Sequence, residues 1–502
     1  MAPPSFNVNR RQFLKTTGGL SGVVGSVGLG VAGYQAGKDP STYSGWQTYE
    51  GMNQTFDRAP WEAELPTYEK IGPTSRADSR TENIFSRRRR FRMQWNESTG
   101  LEGLDELLQA HYKKHPGDYE EDVLLVTDVM PKLMEERQKG DRRYLIAEAW
   151  SNAMGAVMPT PQVHQSDETD ASMRRAMSGP PARSGGRGSG PPPGMRRRRS
   201  VDPVQMKSPE GTSKLLKKIS FELGSTLVGI TELNPDWVYE YTHPNRGFDV
   251  DTPIDVPKEW KYAVVVGTPM SWDAMYANPN FGTSNDAYSR SRIVAYRVAS
   301  FIQQLGYYAL PHTPGNSYDL MVPPIAIDAG LGEQGRNGIL ITPELGCNIR
   351  PAIITTNLPL KPDKPIDIGV QDFCKHCKIC AENCPSGALT MDGPVEVRGY
   401  KRWLINASKC HNFWNSNMGP MGCRICISCC PYTRKANWLH KMAFKTSLHD
   451  PTGITDAVLT GLQERLYAGP DPQDYYIETM GGKNASYRQP PWWLRTEDFI
   501  DI

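Results

Sequence analysis

Long apolar runs are missing from this 502-residue chain: 38% of its residues are hydrophobic, mean hydropathy is −0.54, and no stretch of about twenty strongly apolar residues follows the N-terminus. A membrane-spanning helix needs such a stretch, so the mature chain is expected not to span a bilayer. Charge of one sign is also missing. The 57 Lys and Arg residues nearly balance 55 Asp and Glu, leaving a net charge of +2 and no global electrostatic case for a nucleic-acid partner. Cysteine is almost absent outside one short stretch, which holds nine of the ten.

Within that stretch the cysteines form two runs. The first is Cys374, Cys377, Cys380 and Cys384 followed by Pro385; the second is Cys410, then after a gap Cys423, Cys426, Cys429 and Cys430 followed by Pro431. Cysteines at every third position on a tight turn can reach three corners of an iron–sulfur cubane, and in two-cluster ferredoxins the cysteine before proline crosses to the other cluster. Two four-iron, four-sulfur clusters are therefore expected. Cys374, Cys377, Cys380 and Cys430 are assigned to one cluster, and Cys384, Cys410, Cys423 and Cys426 to the other. Cys429 is left as a spare, able to replace Cys426 or Cys430. Zinc would use four-ligand sets such as paired Cys-x-x-Cys, leaving the run of four before Pro385 unexplained.

The first residues read as an address. Asn9-Arg10-Arg11-Gln12-Phe13-Leu14-Lys15 precedes a Gly-rich, weakly apolar run, the pattern of a twin-arginine export signal covering residues 1–38. That route carries folded proteins, which reconciles export with cysteines that are metal-bound rather than paired as disulfides. Residues 39–164 form a polar N-terminal region. It has helical pieces at Leu104–Leu108, Val123–Leu133 and Tyr144–Val157, and its run Arg87–Arg90 reads as a solvated face or a contact to a cofactor phosphate. Residues 165–202 collapse into Pro, Gly, Ser and Arg and read as a mobile insertion.

A globular α+β core follows over residues 203–365, with the ferredoxin-like segment at 366–440 and an aromatic tail at 441–502. Tyr262–Gly267 reads as a buried strand, and Ile325–Asp328 and Ile339–Ile341 as further short strands. Ser284, Asn285 and Asp286 offer N-caps to a helix starting near Tyr288 and ending at Gly306, with Val294, Val298, Phe301, Ile302 and Leu305 on one face. Gly330-Leu-Gly332-Glu-Gln-Gly335 mimics a dinucleotide-binding fingerprint. That motif needs a long helix after the glycines, and here a strand follows directly. The glycines are expected instead to form a tight loop admitting a bulky group.

In order along the chain, the twin-arginine signal, Leu305-Gly-Tyr307 with Ala309 and Pro311, Ala329–Arg336, Ile341–Gly346 with Arg350, and the two cysteine runs resemble the respiratory reductive dehalogenases. The resemblance implies a nitroreductase-like core holding a corrinoid base-off, without a protein histidine on cobalt; the cobalamin motif Asp-x-His-x-x-Gly is absent from this chain. It implies Tyr288 as proton donor, Arg350 as the cation beside it and Asn316 as a pocket residue, with Tyr296 the rival tyrosine. Gly330, Gly332, Gly335, Arg336 and Gly338 are the candidate corrinoid contacts. Nearby charge and a helix N-terminus would favour a tyrosinate at Tyr288.

It implies further a small halogenated substrate, a respiratory electron donor, a separate small membrane-anchor protein and a location on the outer face of the cytoplasmic membrane. The tail aromatics Tyr475, Tyr476, Trp492 and Trp493 either strap the core or wall an apolar pocket, and Trp403 and Trp414 read as packing. Two other readings stand beside this one: an epoxyqueuosine-reductase-like enzyme acting on tRNA, and a non-catalytic iron–sulfur electron-transfer subunit.

Overall fold

The computed structural model describes residues 61–139, 203–241, 253–272, 275, 281–313, 319–415 and 423–433. The export signal, the Tyr144–Val157 helix, the 165–202 insertion, Asn316 and the aromatic tail lie outside the described residues. Among the described residues no helix is long and apolar enough to cross a membrane.

The core is built on an antiparallel sheet of four strands: β1 (Leu227–Glu232), β2 (Tyr262–Thr268), β3 (Ala309–His312) and β6 (Arg350–Thr356), in spatial order β1-β2-β6-β3. β2 is central, with Val264 opposite Ile230 on one side and Ile354 on the other. Its unbroken apolar run is needed because both of its faces are covered. Val264 and Val266 turn toward helices α4 (Pro209–Glu222) and α5 (Phe281–Gln304), where they meet Leu216, Val294, Val298 and Ile302. Ala263 and Val265 turn the other way, into a larger core with Ile325 and Ala326 of α6 (Val322–Asp328) and with the cysteine loops. Full burial of each such aliphatic side chain contributes about 1.5–3 kcal/mol, so the sheet is a rigid platform with helices on one face and the cysteine-bearing region on the other.

Two sequence expectations change here. Ile325–Asp328 is helical rather than a strand: Pro323 and Pro324 occupy the first turn of α6, where their missing N–H groups cost no hydrogen bond. A four-residue apolar run cannot by itself distinguish the two states. Helix α5 begins at Phe281, so Ser284, Asn285 and Asp286 lie inside it and do not cap it. The apolar face of α5 is as expected.

Residues 330–341 form a small hairpin, β4 (Glu333–Gln334) paired with β5 (Leu340–Ile341), with no helix after the glycines. Toward the N-terminus, α1 (Ile84–Gln94), α2 (Glu106–Lys114) and α3 (Pro116–Leu124) enclose a small core of Phe91, Leu104, Leu108 and Tyr112. Asn83 caps α1, its Oδ1 accepting from the amides of Phe85 and Ser86. The C-terminal part carries the cysteines on short helices: α7 (Val370–His376), α8 (Ile379–Glu382), α9 (Ala407–Phe413) and α10 (Ile425–Ser428). The chain is thus an α+β core followed by a cysteine-rich segment.

Candidate active site

The cysteines gather into two neighbouring sets. Cys374 lies within electrostatic reach of Cys430, Cys377 and Cys380, and Cys380 of Cys430 and Cys377. Separately, Cys410 senses Cys423 and Cys384, Cys423 senses Cys384, and Cys426 senses Cys423 and Cys410. Cys426 also senses Cys429 and Cys380, so the sets adjoin. Among the described residues, no three His, Cys, Asp or Glu side chains are placed to hold a single metal ion. Burial, with neighbouring thiols adding to it, pushes Cys410 up to about 12 and holds Cys374 and Cys426 well above the usual thiol range. Burial likewise pushes Cys423 up to about 11. Such thiols ionise when metal cations take up the charge, which suits them to cluster ligation.

The tenth cysteine, which the run pattern did not flag, sits at the junction. Cys347 is fully buried, shares a hydrogen bond with Cys430, and accepts from Asn337 Nδ2 at 3.3 Å. The same Asn337 nitrogen reaches the Cys426 carbonyl at 3.3 Å. Gly346, just before it, has φ +56°, and a Cβ there would lie 2.3 Å from the Tyr432 carbonyl oxygen. Only glycine allows this turn to approach the residues after Cys430 so closely.

Arg336 is turned into the protein and does not line the cavity described below. It is 2% exposed and points into the first cysteine loop, where Nε and Nη2 donate to the Cys374 carbonyl at 3.0 and 2.6 Å. Nη1 donates to the carbonyls of Thr390 and Asp392 at 2.8 and 2.7 Å. Its guanidinium carbon lies 4.3 Å from the ring centroid of Trp403, whose Nε1 donates to Gln371; Trp403 therefore packs, as expected. The Arg336 amide also donates to Cys374 Sγ at 3.4 Å. The loop glycines serve protein packing as well: a Cβ on Gly330 would strike the Lys364 carbonyl and one on Gly332 the Ile341 carbonyl, while one on Gly335 would meet the Ile341 side chain. Of the five expected corrinoid contacts, Gly338 alone lines the cavity described below.

The first half of the arginine run is not a solvated face, although Arg89 is exposed. Arg87 and Arg88 are 4% and 2% exposed. Both donate through Nε to the fully buried Asp122, at 2.9 and 2.6 Å, and Tyr112 Oη donates to the same carboxylate. Arg87 Nη2 reaches Ser408 Oγ at 2.6 Å and Arg88 Nη2 reaches the Ser408 carbonyl at 3.2 Å, two residues before Cys410. Burial, with the Arg88 cation adding to it, pushes His411 down to about 3, so its neutral ring nitrogen can accept from Arg88 Nη1 at 2.6 Å. These contacts lock α9, and with it Cys410, onto the N-terminal helices.

Tyr288 and Arg350 come together as expected. Register places Arg350 opposite Thr268, whose Oγ1 donates to the Ala287 carbonyl at 2.8 Å, so the start of β6 and the second turn of α5 share one corner of the sheet. The Arg350 guanidinium carbon lies 5.3 Å from the Tyr288 ring centroid, within cation–π range. The helix-dipole contribution expected for Tyr288 does not apply, because α5 starts seven residues earlier and the effect is confined to the first turn. Tyr288 lines a cavity of about 340 Å³ together with Asn83, Phe85, Tyr239, Gly338, Arg402 and the segment Leu320–Pro324. Such a volume falls in the range of small-molecule sites. Arg402 Nε, in its wall, is buried and without a hydrogen-bond partner among the described residues, so a group bearing acceptors fits there.

Two further residues complete this corner. Ser284 Oγ accepts from Arg350 Nη2 at 3.1 Å and from Arg424 Nη1 at 3.2 Å. Arg424, between two cysteines of the second set, is 2% exposed. Burial pushes it down to about 9, with Arg350 adding to the effect, which still leaves it charged at neutral pH. An arginine inside a cysteine run was the available sequence signal. Ser284 offered none, since its spacing suited a cap.

Residues 373–433 match the family model of the 4Fe-4S dicluster domain. The chain is 32% identical over 323 residues to the tetrachloroethene reductive dehalogenase of Sulfurospirillum multivorans, an alignment covering 57% of this chain and 61% of that protein. It is 33% identical over 323 residues to the tetrachloroethene reductive dehalogenase of Desulfitobacterium hafniense, covering 55% and 57%. The alignments thus span about three-fifths of the length of these two relatives. A solved catabolic reductive dehalogenase shares the fold at a TM-score of 0.55 and 21% identity, over 81% of this chain and 48% of that one. Residues 373–433 thus form a 4Fe-4S dicluster domain beside an α+β core, in a chain similar in sequence and in fold to reductive dehalogenases.

Proposed function

We propose that the protein removes halide reductively from a small organohalide, R–X + H⁺ + 2 e⁻ → R–H + X⁻, as the terminal reductase of an anaerobic respiration. Two 4Fe-4S clusters and a base-off corrinoid at the cavity would supply electron transfer and carbon–halogen cleavage when bound. The observation that carries the reading is the corner where Tyr288, on the cavity wall, lies under Arg350 and is joined through Ser284 and Arg424 to the second cysteine set.

Each residue then has a task. Cys374, Cys377, Cys380 and Cys430 hold one cluster, and Cys384, Cys410, Cys423 and Cys426 the other. Tyr288 donates the proton that replaces the halogen, and the Arg350 cation over its ring holds the phenol in place. Gly338 and Arg402 face the corrinoid. The twin-arginine signal supports export, with the enzyme peripheral on the outer face of the cytoplasmic membrane beside a separate anchor protein and a respiratory electron donor.

Tyr288→Phe tests the reading. Anaerobically prepared holoenzyme should keep its iron and cobalt yet lose turnover about 100-fold or more, measured as halide release with reduced viologen. Unchanged turnover would remove Tyr288 from the mechanism.

A further inference from the structure

Arg424 belongs by sequence to the second cysteine run, yet its side chain leaves the loop and ends in the Tyr288 corner. Nη1 donates to Ser284 Oγ, which also accepts from Arg350. Nε and Nη2 are buried and have no hydrogen-bond partner among the described residues, and no carboxylate there pairs with the side chain. A buried guanidinium in this state needs both an acceptor and an opposing charge. Its strongest electrostatic neighbours are Arg350, which makes the need greater, and then Cys423 and Tyr288. A cubane carried by four thiolates is a net anion whose sulfurs accept N–H hydrogen bonds, and Cys423, the residue before Arg424, belongs to the set that would hold one.

We propose that Arg424 is a positioning residue that donates its open N–H groups to the sulfurs of the cluster held by Cys384, Cys410, Cys423 and Cys426. Through Ser284 it fixes that cluster's loop against Arg350 and Tyr288. The proposal rests on the reading above only in that this set binds a cluster. Reduction adds one electron, from the external donor, and makes the cluster one unit more negative. A cation donating to its sulfurs stabilises that state most, so Arg424 raises the cluster's reduction potential. The same residue thereby tunes electron delivery and holds the proton-delivery site in register with it.

The test is a potentiometric titration of the full-length holoprotein, followed by the electron paramagnetic resonance of the reduced clusters. In Arg424→Gln, with iron still near eight per chain, the reduction equilibrium of one cluster should weaken about tenfold, a fall of ~59 mV for a one-electron couple, while the other cluster is unmoved. Arg424→Lys keeps the charge and should recover most of that fall. Two unmoved midpoints in Arg424→Gln at full iron overturn the proposal. Where Arg424→Gln loses iron, Arg424→Met, which also removes the charge and keeps the side-chain volume, decides: a lowered midpoint for one cluster supports the proposal, and an unmoved pair overturns it. Halide release by the wild type is measured alongside, so a shifted midpoint without dehalogenation would fail the proposed function and leave this inference standing.

Discussion

Replacing Arg336 with methionine keeps most of the side-chain volume and removes every polar contact it makes. The Cys374 carbonyl then loses both of its donors in a buried setting, and the carbonyls of Thr390 and Asp392 lose one each. Leaving a buried acceptor unsatisfied costs about 1–3 kcal/mol. Asp392 is exposed and can turn to water, so the full penalty falls on Cys374, with a smaller one on Thr390. The lost stacking on Trp403 adds about 1 kcal/mol. A local cost of about 3–5 kcal/mol would free the loop that presents Cys374, without reaching the second cysteine set.

Iron and sulfide should therefore fall from about eight per chain toward about four, the load of one cluster, with the core's thermal midpoint lowered by a few degrees. Arg336→Lys keeps the charge but not the fork that reaches three carbonyls, and should hold iron at an intermediate level. Corrinoid content is the discriminating measurement. Full iron with lost corrinoid would refute the clamp and return Arg336 to the cofactor role that its place in the glycine loop suggested.

Asp122→Asn should be more damaging, because it leaves Arg88 buried without a carboxylate and Arg87 with Asp118 alone, a change of about 3–5 kcal/mol. It should release α9 and with it Cys410, seen as loss of the second cluster in iron counts and as faster proteolysis near residue 408. Glu333 tests pH linkage: burial raises it from 4.5 to about 7, despite donation from the Ile368 and Val370 amides. The native state then keeps a proton that the unfolded chain releases between those values. Stability is greatest below about 4.5 and falls by about 3 kcal/mol as pH rises to 7. Glu333→Gln should flatten the thermal midpoint over that window, and an unchanged slope would show that Glu333 is not its source.

What could be read from sequence was what is local in sequence. The cysteine runs are recognisable because a cubane's ligands come mostly from one tight turn, and β2 because both its faces are buried. Arg87 and Arg88 were misread because their partners lie far away: Asp122 is 35 residues from Arg87, and Ser408 is 321. A run of arginines looks the same whether water or a buried carboxylate surrounds it. Ser284, Asn285 and Asp286 have the composition of a cap wherever they stand, and nothing local said that α5 starts earlier. Arg336 sits in a glycine loop that suggested a ligand, while the groups needing its donors are carbonyls at residues 374, 390 and 392, visible only after the chain has folded back. Tyr288 and Arg350 were legible through resemblance, and Arg424 needed coordinates.

The bond between Arg87 and Ser408 spans 321 residues, and that span orders the protein's maturation. Helices α1 to α3 leave the ribosome early, with a core of their own around Phe91, Leu108 and Tyr112. Their docking partner emerges only when most of the chain has been made. Closing so long a loop costs little more entropy than a short one, because the penalty grows only logarithmically with length, but it delays the contact. Cys410, two residues on, is held in place only once Ser408 has docked on those helices, so the contact couples the order of the second cysteine set to the N-terminal part of the chain.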